Sequence, residues 1–235
     1  MRTPALIRSI VAAMSLSVIG GCAATAPDYI SILNNPDRPA TERALDAVRK
    51  PHEVMAFYAV KNGDKVVDIS AARGYYTAIL SEIVGAQGTV YTVNSNSRDE
   101  INQRWKAPKF ANVRVADGPF DKLALPQEGS LDFVIIHLNY HDLAPEVRGP
   151  MNQRVLAVLK KGGIYGVVDH SAKEGSGNEA TKTLHRIDRL LVIKEVTGAG
   201  FTLAKEGNML RNPEDTRVTR QREHSDRFVL KFEKP

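Results

Sequence analysis

Residues Lys65 to Thr77 read Lys-Val-Val-Asp-Ile-Ser-Ala-Ala-Arg-Gly-Tyr-Tyr-Thr, and no other stretch constrains the fold as tightly. A short apolar run carries Asp68, passes through a turn of small residues to Gly74, and opens into a segment with Tyr76, Ile79, Leu80 and Ile83 at helical spacing. A buried parallel strand feeding a helix N-terminus has this form, and such a junction commonly holds a nucleotide-like ligand.

The rest of the chain supplies the partners that such a strand needs. Thr41–Arg49 and Pro51–Val60 read as two short helices, with Pro51 at a tolerated first-turn position. Strands are predicted over Lys65–Ile69, Thr89–Val93, Val113–Ala116, Leu131–Leu138 and Gly163–Val168. The intervening helices are Tyr75–Val84, Ser97–Trp105 and Pro145–Leu159. Leu131–Leu138 is apolar apart from Asp132 and His137, as a central strand buried on both faces should be. Thr181–Thr197 reads as one helix with Leu184, Ile187 and Leu191 inward, followed by a closing pair of strands, Phe201–Lys205 and Arg227–Phe232. Alternating strands and helices predict an α/β three-layer sandwich, Rossmann-like, with a mostly parallel seven-stranded sheet. Asn208–Ser225 is the one long irregular segment, and its arginines (Arg211, Arg217, Arg220, Arg222) mixed with Glu214, Asp215 and Glu223 suggest a solvated, salt-bridged lid.

The N-terminus reads as an address. Arg2 and Arg8 precede an apolar stretch, Ile10–Ile19, that is too short to span a bilayer as a permanent helix and fits the core of a signal peptide. Ile19-Gly20-Gly21-Cys22 resembles a bacterial lipobox, which implies cleavage before Cys22 and a lipid on its sulfur. The division expected is a signal peptide over 1–21, a tether and lead-in loop over 22–40, and one domain over 41–235. Cys22 is the sole cysteine, so the domain has neither disulfide nor thiolate chemistry. Loss of Arg2 and Arg8 lowers the formal charge from +5 to +3, too mild a balance for a nucleic-acid binder. Membrane contact is therefore expected only through the anchor, at the periplasmic face of a bacterial membrane.

The order of elements resembles the class I methyltransferase fold over nearly all of this domain. More narrowly, the chain resembles a bacterial family of predicted S-adenosylmethionine-dependent methyltransferases. The matching residues are Asp37-Arg38-Pro39, Asp68 with Gly74-Tyr75-Tyr76-Thr77, Tyr140-His141-Asp142, Val168-Asp169-His170-Ser171, Leu184-His185-Arg186-Ile187-Asp188, Leu210 to Asp215 and Asp226 to Lys231. The resemblance implies S-adenosylmethionine as cofactor, held by Asp68 and the turn residues Ser70, Ala72 and Gly74. In the fold resembled, that turn is Gly-x-Gly-x-Gly; here Ser70 and Ala72 replace glycines and Arg73 replaces a small residue. A non-glycine residue at positive φ costs about 1–2 kcal/mol. Asn94 stands where an acidic residue normally accepts both ribose hydroxyls, a loss of about 1 kcal/mol of binding. Asp117 stands either at the adenine amino group or at the start of the turn before Pro119.

Two clusters follow neighbouring strands on the carboxyl edge, where open α/β sheets bind ligands. His141 is the candidate base for an acceptor that holds its proton, with His170 second and Asp142 or Asp169 as orienting partners. A plainer reading has Asp142 capping the helix near Pro145. Tyr140, His185, Arg186 and Arg211 are candidate substrate contacts through the resemblance. No resident metal is expected, since His137 and His141 lie four apart in a strand run, about 13 Å along it. The reaction implied is methyl transfer to a small molecule. The competing possibilities are a non-catalytic envelope binding protein on the same fold, suggested by the export signal and altered turn, and a hydrolase using the histidine edge, for which no Gly-x-Ser-x-Gly elbow is present.

Overall fold

The computed structural model describes residues 27–96, 99–220 and 222–235; the stretch expected to be a signal peptide and Cys22 lie outside them. Seven strands follow in chain order: β1 (Lys65–Ile69), β2 (Thr89–Val93), β3 (Val113–Val115), β4 (Leu131–His137), β5 (Leu159–His170), β6 (Thr202–Gly207) and β7 (Arg227–Glu233). They form one sheet of order β3-β2-β1-β4-β5-β7-β6. The first five pair in parallel, and β7 runs antiparallel to both β5 and β6. The predicted three-layer α/β sandwich is therefore the observed architecture.

The side-chain period of a strand explains the layering. Val67 and Ile69 of β1, with Val134 and Ile136 of β4, point into one core, and Val66, Phe133 and Ile135 point into the other. Helices α7 (Pro145–Val158) and α9 (Arg189–Gly198) cover the first face through Met151, Val155, Val192 and Val196. Helices α4 (Pro51–Tyr58) and α5 (Tyr75–Val84) cover the second through Met55, Tyr58, Ile79 and Leu80. Gly166 of β5 lets the Tyr58 ring lie on the sheet, where the phenol donates to Leu230 O at 3.1 Å.

Four expectations are corrected. The lead-in loop contains helix α1 (Tyr29–Leu33), capped by Asp28 and tied to the core by Tyr29 Oη donating to Val60 O at 2.6 Å. Buried Arg38, five residues on, forks onto Asp46 at 2.6 and 2.9 Å, so the packed structure starts well before residue 41. Thr41–Arg49 is two single turns, α2 (Ala40–Arg43) and α3 (Asp46–Arg49). β5 begins at Leu159, which pairs with Leu131 where a helix end was predicted.

The fourth correction bears on the site. The helix predicted over Thr181–Thr197 breaks after α8 (Thr181–Leu184): His185 takes φ 53°, Ile187 forms a parallel bridge with Ser171, and α9 restarts with Asp188 accepting from Leu190 N. Helix α6 (Asp99–Arg104) completes the set. Among the described residues no helix is long and apolar enough to cross a membrane.

Gly74 opens α5 at φ 81°, and a Cβ there would fall 2.2 Å from the Trp105 ring. Gly63 has a similar φ of 83° with open space around it. Gly74→Ala is expected to lower stability by about 2–4 kcal/mol, from overpacking added to left-handed strain, and Gly63→Ala by about 1 kcal/mol. Urea midpoints of the two variants against the native chain read the difference.

Candidate functional site

A cavity of about 480 Å³ opens at the carboxyl ends of β1, β4 and β5. The turn after β1 builds its floor. Ala71 N donates to Val93 O, and Gly74 N to Ala71 O, which folds the chain back on itself. This geometry places Ser70 at φ 55° and Ala72 at φ 53°, the conformation glycine adopts without cost. Both residues line the cavity, as does Asp68, whereas Gly74 instead packs under Trp105.

Asn94 and Asp117 act on the turn from outside the cavity lining. Asn94 Oδ1 accepts from Ala72 N at 2.8 Å, and Asp117 Oδ1 accepts from Asn94 N at 2.9 Å. The ends of β2 and β3 thus brace the turn.

Asp68 is 3 % exposed, and its Oδ2 accepts from Thr77 Oγ1 at 2.7 Å. Burial pushes its carboxyl up to about 7, against the Thr77 hydrogen bonds and the positive charge of Arg49. Near it, the His137 imidazole lies 4.5 Å from the Tyr76 ring. Tyr76 Oη and His137 Nε2 are buried in the cavity wall without a hydrogen-bond partner among the described residues.

The opposite wall is organised by Asp169, which is fully buried at the end of β5. Its carboxylate accepts from His141 N at 2.8 Å and from His170 N at 2.7 Å, and lies 2.7 Å from His141 Nδ1. With Nδ1 protonated toward Asp169, His141 turns Nε2 to the cavity, 3.2 Å from Asp142 Oδ1 and 3.4 Å from His185 Nδ1. Burial opposes charge on this ring, but Asp169 and Asp142 prevail and push His141 up to about 9. The carboxylates thus favour the charged ring, so His141 would act as a base only after giving up that proton. The adjacent His170, with Nδ1 2.6 Å from Ser225 Oγ, is drawn down to about 4 by burial, reinforced by Arg227 and His141 and only partly opposed by Asp169. Asp142 caps nothing: α7 starts from Ala144 without a side-chain cap.

Three predicted substrate contacts are elsewhere. Tyr140 is fully buried, its hydroxyl donating to Glu195 at 2.8 Å and accepting from Asn152 at 2.9 Å. Arg186 is fully buried and pairs with Asp215 at 2.8 Å while donating to Ser171 O and Thr219 O. Arg211 pairs with Asp226 at 2.8 Å, away from the cavity. His185 does reach it. Strand spacing separates His137 from His141, and the break at His185 brings a second imidazole to His141 and Asp142 instead.

Sequence reasoning missed Arg49, Tyr76, His137 as a wall residue, and Arg227. His137 carried a signal, being one of two polar interruptions in β4. Arg227, 3 % exposed, donates to Val48 O, Arg222 O and Glu223 O and lines the cavity with Arg220 and Arg222.

A sequence model of the ubiE/COQ5 methyltransferase family matches residues 46–186, which include β1, the strained turn and both histidine clusters. The chain belongs to this family. Among curated relatives of this ubiE/COQ5 member, the protein-L-isoaspartate O-methyltransferase of Ignicoccus hospitalis is 27 % identical over 74 % of the chain and 80 % of its own length. A SAM-dependent methyltransferase from Aquifex aeolicus superposes with a TM-score of 0.64 at 18 % identity, covering 88 % of this chain and 99 % of that one. Geranyl diphosphate C-methyltransferase from Streptomyces coelicolor A3(2) gives 0.64 at 11 % identity, with 87 % and 89 % covered. At these identities the superpositions establish the shared fold.

The proton on Asp68 gives the site a signature in stability. The folded protein holds it to about pH 7, while the unfolded chain releases it near 3.8, so the folded state binds more protons in between and stability falls as pH rises across that window. Asp68→Asn removes the ionisation and keeps an acceptor for Thr77. The variant is expected to match the native chain near pH 4 and exceed it by about 2–4 kcal/mol at pH 8, read by denaturant titration at both values.

Proposed function

We propose that this ubiE/COQ5 family member is an S-adenosylmethionine-dependent methyltransferase acting on a small anionic acceptor in the cavity above β1 and β4. One observation carries the reading: the turn after β1 keeps the backbone of a glycine-rich cofactor turn although Ser70 and Ala72 occupy it. Positive φ at a non-glycine residue costs about 1–2 kcal/mol and persists where the surroundings enforce it, commonly at ligand sites. Asn94 and Asp117 are the enforcing groups here. His137 Nε2 and Tyr76 Oη, which have no partner among the described residues, are polar atoms in the wall that a bound ligand can satisfy. Asp68, Ser70 and Ala72 would hold the cofactor, which supplies an electrophilic methyl group when bound.

For the protein's own part, positioning does most of the work, since in-line approach of an acceptor to a methyl group is worth several kcal/mol. Asp169 fixes the direction of His141 Nε2, so the acceptor meets an oriented edge rather than a mobile ring. Arg49, Arg220, Arg222 and Arg227 outnumber Asp68, Asp142 and Glu223 around the cavity, and Asp68 is partly protonated at neutral pH. An acceptor carrying a carboxylate or phosphate suits that wall. The cavity volume lies within the range of small-molecule sites.

Calorimetry with S-adenosylmethionine and S-adenosylhomocysteine is expected to show saturable binding to the native chain. Ala72→Val, a β-branched residue at φ 53°, is expected to weaken it about tenfold. Absence of heat and of a thermal shift at saturating ligand would leave a non-catalytic fold and sink the reading.

The acceptor is tested by following S-adenosylhomocysteine formation with a panel of small carboxylates and phosphates beside an L-isoaspartyl peptide, the acceptor named for the Ignicoccus relative. Turnover with a small anion is expected, weakened by Arg222→Ala. Turnover with the peptide alone would overturn the small-molecule assignment.

A further inference from the structure

We propose that His141, Asp142 and His185 form a binding site for a first-row transition-metal dication in the cavity wall. His141 Nε2, His185 Nδ1 and Asp142 Oδ1 make a triangle with edges of 3.1, 3.2 and 3.4 Å. With metal–ligand bonds of about 2.1 Å, as for zinc with imidazole and carboxylate, those edges subtend angles of about 95–110° at an ion. Three ligands so spaced fit one face of a tetrahedron or octahedron. All three residues line the cavity, so the remaining coordination positions point to where an acceptor would enter. A site with three protein ligands and an open position is of the catalytic rather than the structural kind.

Charge and support agree with an ion. Asp169 lies 2.7 Å from His141 Nδ1, the carboxylate-behind-histidine arrangement that fixes the coordinating nitrogen and raises its basicity. Asp142 and Asp169 with two neutral imidazoles balance the charge of a dication. His185 reaches the cluster because the chain is held at φ 53° there, between α8 and the buried Arg186. Three atoms that are all good metal donors thus converge within 3.4 Å of one another.

The site is independent of the cofactor and is tested without it. The chelator-treated, tag-free chain is titrated with Zn²⁺ by calorimetry and with Co²⁺ by visible absorption. One saturable site is expected, with the absorption of cobalt in a nitrogen–oxygen environment. Asp142→Asn and His185→Gln should each weaken binding at least about tenfold. Asp169→Asn, which touches no ion, should weaken it about 10–100-fold. Circular dichroism and melting curves confirm that each variant is folded. If the strained His185 position prevents folding of its variant, Asp142→Asn decides, since among the described residues that half-exposed side chain bonds only within the cluster. No saturable binding by the native chain, or binding unchanged in Asp142→Asn, would overturn the proposal. Either result leaves the cofactor titration to be judged on its own.

Discussion

The site depends on one buried carboxylate. Asp169 sits at the end of β5 with no solvent exposure, where an unsatisfied charge would cost several kcal/mol. It is satisfied by two backbone N–H groups and one imidazole. Those contacts join the loop after β4 to the end of β5 across neighbouring strands. They also decide which nitrogen of His141 faces the cavity. Replacing this carboxylate would therefore unfasten a loop and a side chain together, so its structural and chemical roles cannot be separated by looking at activity alone.

A second set of buried charges holds the outer wall. Asp226 is fully buried and meets Arg211 at 2.8 Å and Arg217 at 2.7 Å, while Asp215 takes Arg186 at 2.8 Å and the Asp226 N–H at 2.6 Å. Buried pairs of this kind add little net stability, but breaking one strands its partner at a cost of about 3–5 kcal/mol. Such a network favours one arrangement over its alternatives. It brings Arg220 and Arg222 to the cavity and pulls Arg186 inward, which leaves His185 no continuation of the helix. The segment 208–225 is salt-bridged, as its composition suggests, yet Asp215 within it and Asp226 just beyond it are out of solvent.

What the sequence made legible follows from this division. β1 and β4 were readable because strands buried on both faces need near-continuous apolar runs, and Asp68 and His137 mark where those runs meet the cavity. The turn after β1 was readable from Asp68 and Gly74, and Thr77 of the same motif proves to be the hydrogen-bond partner of Asp68. The break at His185 was not, because neither glycine nor proline stands there and Leu184, Ile187 and Leu191 keep a helical period. A contact more than twenty residues distant, Arg186 with Asp215, overrides that local pattern. Arg186 and Tyr140, named as substrate contacts, misled for a related reason: both are large side chains buried here with their polar ends paired inside.

The altered turn then reads differently from a decayed motif. Had the glycines been lost without constraint, the chain could have relaxed to a negative φ at Ser70 and Ala72, gaining about 1–2 kcal/mol at each. It does not, because the Ala72 N–H is committed to Asn94, Asn94 to Asp117, and the Ala71 N–H to the end of β2. Asn94, which is poorer than a carboxylate for gripping two hydroxyls, is better suited to this work. Its amide oxygen accepts from Ala72 N without adding a second negative charge beside Asp117. The amide at this position thus preserves the shape of the cofactor's floor, and shape is what in-line transfer of a methyl group most requires.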